Sequence, residues 1–413
     1  MGRDGDGAPR DTAKDAGARS AEINRTTSAF DCDNRAIAMT RTFLHSFEPA
    51  TASPVAGPTV DLDISDIEDA GLREVLQTPG ASYGAWSFLD TLLTPTGAGT
   101  PFVFREPLGQ AREVKVALSG LFGRFVARAY LERHLNLSIF AHLGSGTIDL
   151  DRRRRVKIKR LSRGDLPDWI ACAADLSSLT VAEAKGCHDV GGPAKALDRA
   201  WAQARRIDVT ARGRKVTVKR IAIATRWGTA ATGASDAYIS VRDPVDEGEP
   251  IQPEEWDALF IGLLRRHVAN LIKPLGHTEL AEALLQLTQD PFPRRLQGDL
   301  QRARALLDAI PPAREYTGAS DMSRLVGGIV IRSGPVADAS VEPVDPETLA
   351  RLNLRPVFVG IERDLIRAAI DAEPQAVRDR LADKASPGEL ARPDRAGGWI
   401  IPLGEGRRIT GGT

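Results

Sequence analysis

The chain has 413 residues, 42% of them hydrophobic, and its 55 Lys and Arg residues are balanced by 55 Asp and Glu. This length suggests two or three domains. No window has the roughly 18–20 apolar residues that span a membrane, and the polar N-terminus lacks the apolar core of a signal peptide. Cys32, Cys172 and Cys187 are widely spaced, which fits reduced thiols rather than a disulfide framework. We therefore expect a soluble, cytoplasmic protein with no membrane partner.

Charge is unevenly distributed along the chain. Residues 151–226 contain 19 Lys and Arg against 8 Asp and Glu, a net charge of +11, so the rest of the chain carries −11. Residues 241–260 contain seven acids and one Arg. Such a partition is expected where one region binds a polyanion. The alternative is that the basic and acidic regions neutralise each other in the folded protein.

The N-terminal quarter gives few structural signals. Residues 1–27 are rich in Gly, Asp, Arg and Ala without periodicity, which predicts a disordered tail. Residues 28–107 form an N-terminal region in which short apolar runs are broken by Pro and Gly. We assign no defined fold to this region.

Residues 108–240 have the pattern of an α/β unit. Val156 and Ile158 alternate with Lys and Arg, which predicts a half-buried strand with a basic outer face. Ile207 falls on the apolar face of a predicted helix. The predicted elements are a long helix over 111–135, strands at 137–142 and 152–160, a hairpin of 169–174 and 179–184, a helix from 193 to about 208, and a strand over 216–225.

Residues 253–413 are predicted to form a C-terminal accessory domain, mainly helical with some strands (α+β). An acidic, Pro-containing stretch near 240–252 marks its boundary. The predicted helices cover 253–275, 278–289, 294–310 and 363–382, and the strands cover 327–331, 356–361 and 399–403.

The predicted hairpin brings three charged residues together. Asp168 precedes its first strand, and Glu183 and Lys185 end its second. With a four-residue loop at 175–178, Ile170 pairs with Glu183, and Asp168 pairs with Lys185. Because side chains alternate along a strand, the three charges share one face, whereas a slip of one residue would send Asp168 to the other face.

Adjacent carboxylates repel each other, and a divalent cation between them relieves that repulsion while it polarises a phosphoryl oxygen and activates a water. Mg²⁺ or Mn²⁺ suits such a site, since hard cations prefer oxygen ligands. Asp168 and Glu183 are thus candidate metal ligands. Lys185 is a candidate to position the water or to stabilise charge on phosphorus. The chemistry indicated is phosphodiester hydrolysis.

Pro167-Asp168 followed by Glu183-Ala184-Lys185 resembles the motif of the PD-(D/E)XK nuclease superfamily. The resemblance covers about residues 111–227, under a third of the chain. It implies a restriction-endonuclease-like core, with a central mixed sheet flanked by helices, and Mg²⁺-dependent cleavage of DNA. It also implies that Asp168 and Glu183 bind the metal and that Lys185 is catalytic.

Two positions bear further on this resemblance. Many members carry a Glu in the first helix, where this chain has Gly123-Arg124, so no third carboxylate ligand is identified. Some exonuclease branches have a Gln in the helix after the lysine and a Tyr four residues later. Gln203 matches the first position and is a further candidate catalytic residue, but Ile207 stands at the second.

A basic surface is expected beside this site, because phosphate contacts dominate the affinity of nucleic-acid-binding proteins. Its predicted members are Arg152, Arg153, Arg154, Lys157 and Lys159 in the basic run, Arg199 in the following helix, and Arg212, Arg214, Lys215, Lys219 and Arg220 beyond it.

The favoured hypothesis is a metal-dependent DNA endonuclease whose terminal regions select substrates or bind partners. The resemblance extends this to bacterial antiviral defence or DNA processing. A homodimer or a partner subunit would supply the second active site for a double-strand cut. One alternative is a DNA-binding or assembly protein that keeps the fold without cleaving. The other is a protein-interaction module whose basic and acidic regions pair internally.

Overall fold

The computed structural model describes residues 40–78, 93–94, 103–104, 112–143, 147–152, 155–174, 179–187, 192–226, 237–244, 248–289, 293–311, 324–331, 334–336, 357–382, 392–393 and 398–402. Residues 38–413 form one compact unit. The predicted tail at 1–27 lies outside the described residues. No described helix is long and apolar enough to cross a membrane.

Helices and strands both occur along the described chain. The helices are α1 (Ile64–Gln77), α2 (Arg112–His134), α3 (Ala194–Ala204), α4 (Pro253–Ile272), α5 (Thr278–Gln289), α6 (Pro293–Ala309), α7 (Arg363–Asp371) and α8 (Pro374–Ala382). The strands are β1 (Thr40–Glu48), β2 (Thr59–Asp63), β3 (Leu93–Thr94), β4 (Val103–Phe104), β5 (Leu137–His142), β6 (Ile148–Asp151), β7 (Val156–Arg160), β8 (Trp169–Ala173), β9 (Leu179–Cys187), β10 (Ile207–Ala211), β11 (Arg214–Lys215), β12 (Lys219–Arg226), β13 (Tyr238–Arg242), β14 (Leu325–Ile331), β15 (Gly334–Val336), β16 (Val357–Glu362), β17 (Arg392–Pro393) and β18 (Gly398–Pro402).

The largest sheet is mixed and has seven strands in the order β2-β1-β13-β12-β9-β8-β5. The pairs β1/β13 and β9/β12 are parallel, and the other pairs are antiparallel. A four-stranded sheet has the order β11-β10-β7-β6, and a five-stranded sheet has the order β15-β14-β16-β18-β17. The predicted α/β class is confirmed.

Helices cover both faces of the seven-stranded sheet. Ala196 and Ala200 of α3 pack on Ala224 of β12, whereas α2 meets Thr225, the next residue of the same strand. Because adjacent strand residues point to opposite faces, α2 and α3 lie on opposite sides of the sheet. Helix α1 packs on α2.

One hydrophobic core runs from Phe43 to Ile400 through all three predicted regions. Helix α4 packs directly against β5, and α5 packs against β6. The division of the chain into domains at 28–107, 108–240 and 253–413 therefore stays a prediction, with a shared core between its parts.

In the seven-stranded sheet and its flanking helices, the predicted order helix, strands, helix, strand is observed as α2, β5, β8, β9, α3 and β12, whereas the intervening strands β6, β7, β10 and β11 form the four-stranded sheet. Strand β7 has the predicted alternation, with Val156 and Ile158 buried and Lys159 exposed. The placement of Ile207 in a helix is wrong. Helix α3 ends at Ala204, and Ile207 begins β10, because Ile207, Val209 and Ala211 alternate in burial as a strand requires.

The described part of the N-terminal region, whose sequence predicts no defined fold, contains helix α1, strands β1 and β2, and the short strand pair β3 and β4. Strands β1 and β2 extend the main sheet beyond β13. Helix α1 begins at Asp63, whose side chain accepts a hydrogen bond from the Ser65 N–H (3.4 Å), as an N-cap residue does.

Two glycines bring α2 against β9. A Cβ at Gly123 would lie 2.5 Å from the Gly186 Cα, and one at Gly186 would lie 1.7 Å from the Ser119 carbonyl oxygen. Both atoms belong to the backbone and cannot rotate away. Only glycine at both positions therefore permits this approach of helix to strand.

We expect Gly123→Ala to lower the free energy of unfolding by about 1–3 kcal/mol, because the methyl group overpacks a backbone contact. Gly120→Ala is the matched control, since nothing lies within 4 Å of a Cβ there. This change in the same helix should raise stability by about 1 kcal/mol. Urea denaturation of both variants tests the contact, and equal stability changes would contradict it.

Candidate active site

Asp168, Glu183, Lys185 and Gln203 come together where β8 begins. The backbone N–H of Asp168 donates to Oε2 of Glu183 (2.9 Å), and that of Ala184 donates to Oδ2 of Asp168 (2.9 Å). The Lys185 ammonium contacts Oε1 of Glu183 and donates to Oε1 of Gln203 (2.8 Å). All four predicted catalytic residues therefore lie in one contact network.

The predicted hairpin register is wrong by two residues. Cys172 pairs with Leu179, and Trp169 pairs with Ala182, whereas the prediction paired Ile170 with Glu183. The turn is longer than predicted, because Cys172 and Leu179 are the last pair of the hairpin, and Ala173 pairs only with Leu137 of β5. A shift of two residues keeps every side chain on its face, so the extended register sets Asp168 opposite Glu183.

Gln203 holds Lys185 in a fixed position. Its Nε2 donates to the Leu166 carbonyl (2.6 Å), so its Oε1 is directed at the Lys185 ammonium. The Lys185 side chain remains 34% exposed, whereas that of Glu183 is completely buried. Lys185 is thus more accessible from solvent than Asp168, whose side chain is 16% exposed.

The environment of the Glu183 carboxyl disfavours its ionised form. Burial, followed by the nearby Asp168 carboxylate, raises its pKa to about 8, against the opposing effect of Lys185. A carboxyl with such a pKa in a partly open site is a candidate functional group.

A buried acid that was not among the predicted site residues lies beside the site. Glu74, on α1, is 1% exposed and receives four contacts. The Nε1–H group of Trp169 donates to it (2.9 Å), Arg128 lies at 3.2 Å, and His142 lies at 3.2 Å. Arg124 approaches its other oxygen to 2.5 Å. Glu74 therefore joins α1, α2, β5 and β8.

Burial alone would raise the pKa of Glu74, but Arg124, His142 and Arg128 together hold it far below its usual range. Arg124 also donates to Nδ1 of His142 (3.1 Å), which leaves Nε2 of that ring to donate to Glu74. Glu74 is thus ionised, with Trp169, Arg128 and His142 at one carboxylate oxygen and Arg124 at the other.

Arg124 connects this buried acid to the site. Its Nε lies 3.4 Å from Oδ1 of Asp168, and its guanidinium stacks over the Trp169 ring at 5.6 Å. Opposite charges alternate through the contacts behind it, in the order Arg73, Glu132, Arg128, Glu74, Arg124 and Asp168.

A signal for Glu74 was present in the sequence. Arg73 and Glu74 interrupt an otherwise apolar helical stretch, and both are buried in α1. Buried charges are normally paired, so such a position predicts partners elsewhere in the fold. The sequence does not say which residues those are.

The predicted phosphate-binding residues have different environments. Arg152, Lys159 and Arg199 are exposed, and Lys157 is half-buried. Arg199 donates to the Lys195 carbonyl (3.3 Å). Within the described chain, no acid forms an ion pair with Lys157 or Lys159. Arg153 and Arg154 lie outside the described residues.

Other basic residues are bound to acids. Arg214 pairs with Glu249 (2.9 Å) and Glu255 (2.8 Å), and Lys219 pairs with Asp243 (2.7 Å). These three acids belong to the acidic stretch at 241–260. Lys215 and Arg220 both pair with Asp208, at 3.1 and 3.0 Å. Part of the basic charge is therefore neutralised internally, as the alternative interpretation anticipated.

In the described residues, no group of three or more His, Cys, Asp and Glu side chains is arranged to hold a metal ion. The candidate donor set is the carboxylate pair Asp168 and Glu183. In comparisons with known proteins, no family model matches the chain, and no curated protein or solved structure shows significant similarity to it.

The raised pKa of Glu183 predicts a pH-dependent stability. The folded protein keeps this proton between about pH 4.5 and 8, where the unfolded chain has released it. The resulting stabilisation is complete below pH 4.5 and is lost as pH rises to about 8, by at most about 1.4 kcal/mol per pH unit.

Glu183→Gln should remove this contribution, so the variant should gain stability relative to wild type as pH rises and level off above about pH 8. Urea denaturation across this range measures the difference. Glu254→Gln, at an exposed position on α4, is the control and should keep the wild-type slope. A constant difference between Glu183→Gln and wild type would contradict the shift.

Proposed function

We propose that this chain is a metal-dependent nuclease that hydrolyses phosphodiester bonds in DNA on a restriction-endonuclease-like core. The observation that carries the proposal is the convergence of Asp168, Glu183 and Lys185 at a solvent-reaching end of the β8/β9 hairpin. The order α2, β5, β8, β9, α3, β12 around a mixed sheet supports the fold assignment.

The carboxylate pair suits a hard divalent cation. Each carboxyl of Asp168 and Glu183 accepts one backbone N–H, and each oxygen has a second lone pair available for a ligand. Burial and then Asp168 raise the pKa of Glu183 even beside Lys185, so a divalent cation would favour the ionised form of both carboxyls. Asp168 and Glu183 would hold Mg²⁺ or Mn²⁺, which when bound polarises a phosphoryl oxygen and activates a water.

The chain's own residues supply the remaining functions. Lys185, fixed by Glu183 and Gln203, presents an ammonium where negative charge develops on the phosphate. Gln203 acts by orienting this ammonium. Lys157, Lys159 and Arg199 supply positive charge for the DNA backbone. A second copy or a partner subunit would provide the other active site of a double-strand cut.

The first test is nicking of supercoiled plasmid by the full chain with Mg²⁺ or Mn²⁺. We expect EDTA to abolish nicking, and Asp168→Ala or Lys185→Ala to slow it by at least about 100-fold, since each removes a group acting on transition-state charge. Asp198→Ala and Lys273→Ala are controls at exposed positions and should retain the wild-type rate.

Two outcomes would favour the alternatives. DNA binding without cleavage by wild type would indicate a non-cleaving or partner-dependent protein. Absence of both cleavage and binding would favour the internally paired module, which the contacts of Arg214 and Lys219 with the acidic stretch support in part.

The second test concerns the basic face of β7. Each of Lys157→Gln and Lys159→Gln should weaken DNA binding and reduce the slope of log K against log salt by about 0.9, the value for one lost phosphate contact. Lys215→Gln is the charge-matched control, because Lys215 pairs with Asp208, which keeps its contact with Arg220. Fluorescence anisotropy with labelled duplex measures these slopes, and three equal slopes would contradict the assignment.

A further inference from the structure

Two fixed cationic groups flank the carboxylate pair. Lys185 contacts Glu183 on one side, and the Arg124 guanidinium lies 3.4 Å from Oδ1 of Asp168 on the other. Burial opposes the charged form of Arg124, but Glu74, Asp168 and Glu183 outweigh it and raise the pKa of Arg124. Arg124 therefore carries a permanent positive charge that acts on both site carboxylates.

Arg124 cannot easily leave this position. Its side chain is only 23% exposed, and Glu74 holds its terminal nitrogen at 2.5 Å. It also donates to His142 (3.1 Å) and lies over the Trp169 ring. The preceding residue, Gly123, fixes its backbone against β9. Swinging the guanidinium away would leave the buried Glu74 with an unpaired charge, which is costly.

We propose that Arg124 is a built-in counter-charge for Asp168, which weakens divalent-cation binding at the Asp168–Glu183 pair and limits the pair to a single cation. This inference rests on the proposed function. Oδ1 of Asp168 faces the guanidinium, and Oδ2 accepts the Ala184 N–H, so a second cation at Asp168 would have to approach Arg124 against its charge.

The experiment is titration of the full chain with Mn²⁺ under oxygen-free conditions at one pH well above the pKa of Glu183. Calorimetry gives the affinity, and the electron paramagnetic resonance signal of free Mn²⁺ gives the stoichiometry. We expect wild type to bind one Mn²⁺. Arg124→Gln should bind Mn²⁺ at least roughly tenfold more tightly, because a nearby positive charge is removed.

Two further variants separate charge from shape. Arg124→Lys keeps the charge and should stay within about threefold of the wild-type affinity. Arg133→Gln removes the same charge from an exposed position on α2, where the side chain is 64% exposed, and should leave the affinity unchanged. A purely structural role for Arg124 would instead make Arg124→Gln bind Mn²⁺ no better than wild type.

If Arg124→Gln does not fold, the double variant E74Q/R124Q tests the inference in its place. It removes both charges of the buried Glu74–Arg124 pair, so neither is left without the other. It should also bind Mn²⁺ more tightly than wild type. Unchanged or weaker binding by folded Arg124→Gln or, where that variant does not fold, by E74Q/R124Q would overturn the inference while leaving the nuclease proposal intact, as would two Mn²⁺ per wild-type chain. Absence of Mn²⁺ binding by wild type and variants alike would overturn both.

Discussion

The backbone contact between α2 and β9 is the constraint on which the site depends. Because Gly123 and Gly186 have no side chains, the helix rests directly on the strand that carries Glu183 and Lys185. The next residue of the helix, Arg124, is thereby directed toward Asp168. One turn further along the same face, Arg128 meets Glu74. A small-residue contact in the backbone thus decides where the charges of the site can meet.

The series of ion pairs behind the site positions the side chains of the site more than it stabilises the fold. Desolvating an ion costs several kcal/mol, and a buried pair often only recovers that cost. Four side chains from three elements contact the carboxylate of Glu74. An apolar side chain at this position could fill the same space without these contacts. The charges also fix orientation, since Arg124 and Arg128 each contact two acids. Arg124 accordingly lies in a single place, between Glu74 and Asp168.

The sequence predicts the local parts of this arrangement and misses those that depend on distant contacts. The hairpin and its charged end follow from alternation along the strands, whereas Gln203 was identified through the resemblance to the nuclease motif. The predicted register was wrong by two residues because the turn extends from Ala173 instead of from Asp175, and turn length is not fixed by the alternation of the strands. Asp168, Glu183 and Lys185 nevertheless share one face of the hairpin as predicted, since side-chain direction along a strand has a period of two residues. Glu74 is 94 residues before Asp168, and no local pattern connects them.

Net charge along the sequence overstates the positive charge available to a partner. Arg214 and Lys219 are neutralised by the acidic stretch, which leaves β7 as the strand whose lysines face solvent without acid partners in the described chain.

Seven residues connect β7 to Asp168, and two side-chain hydrogen bonds hold this connection. Arg160 donates to the Ser162 carbonyl (2.8 Å), and Arg206, which follows α3, donates to that of Asp165 (2.8 Å). The connection between the basic strand and Asp168 is therefore ordered by contacts of the chain itself, one of them to the residues that follow α3.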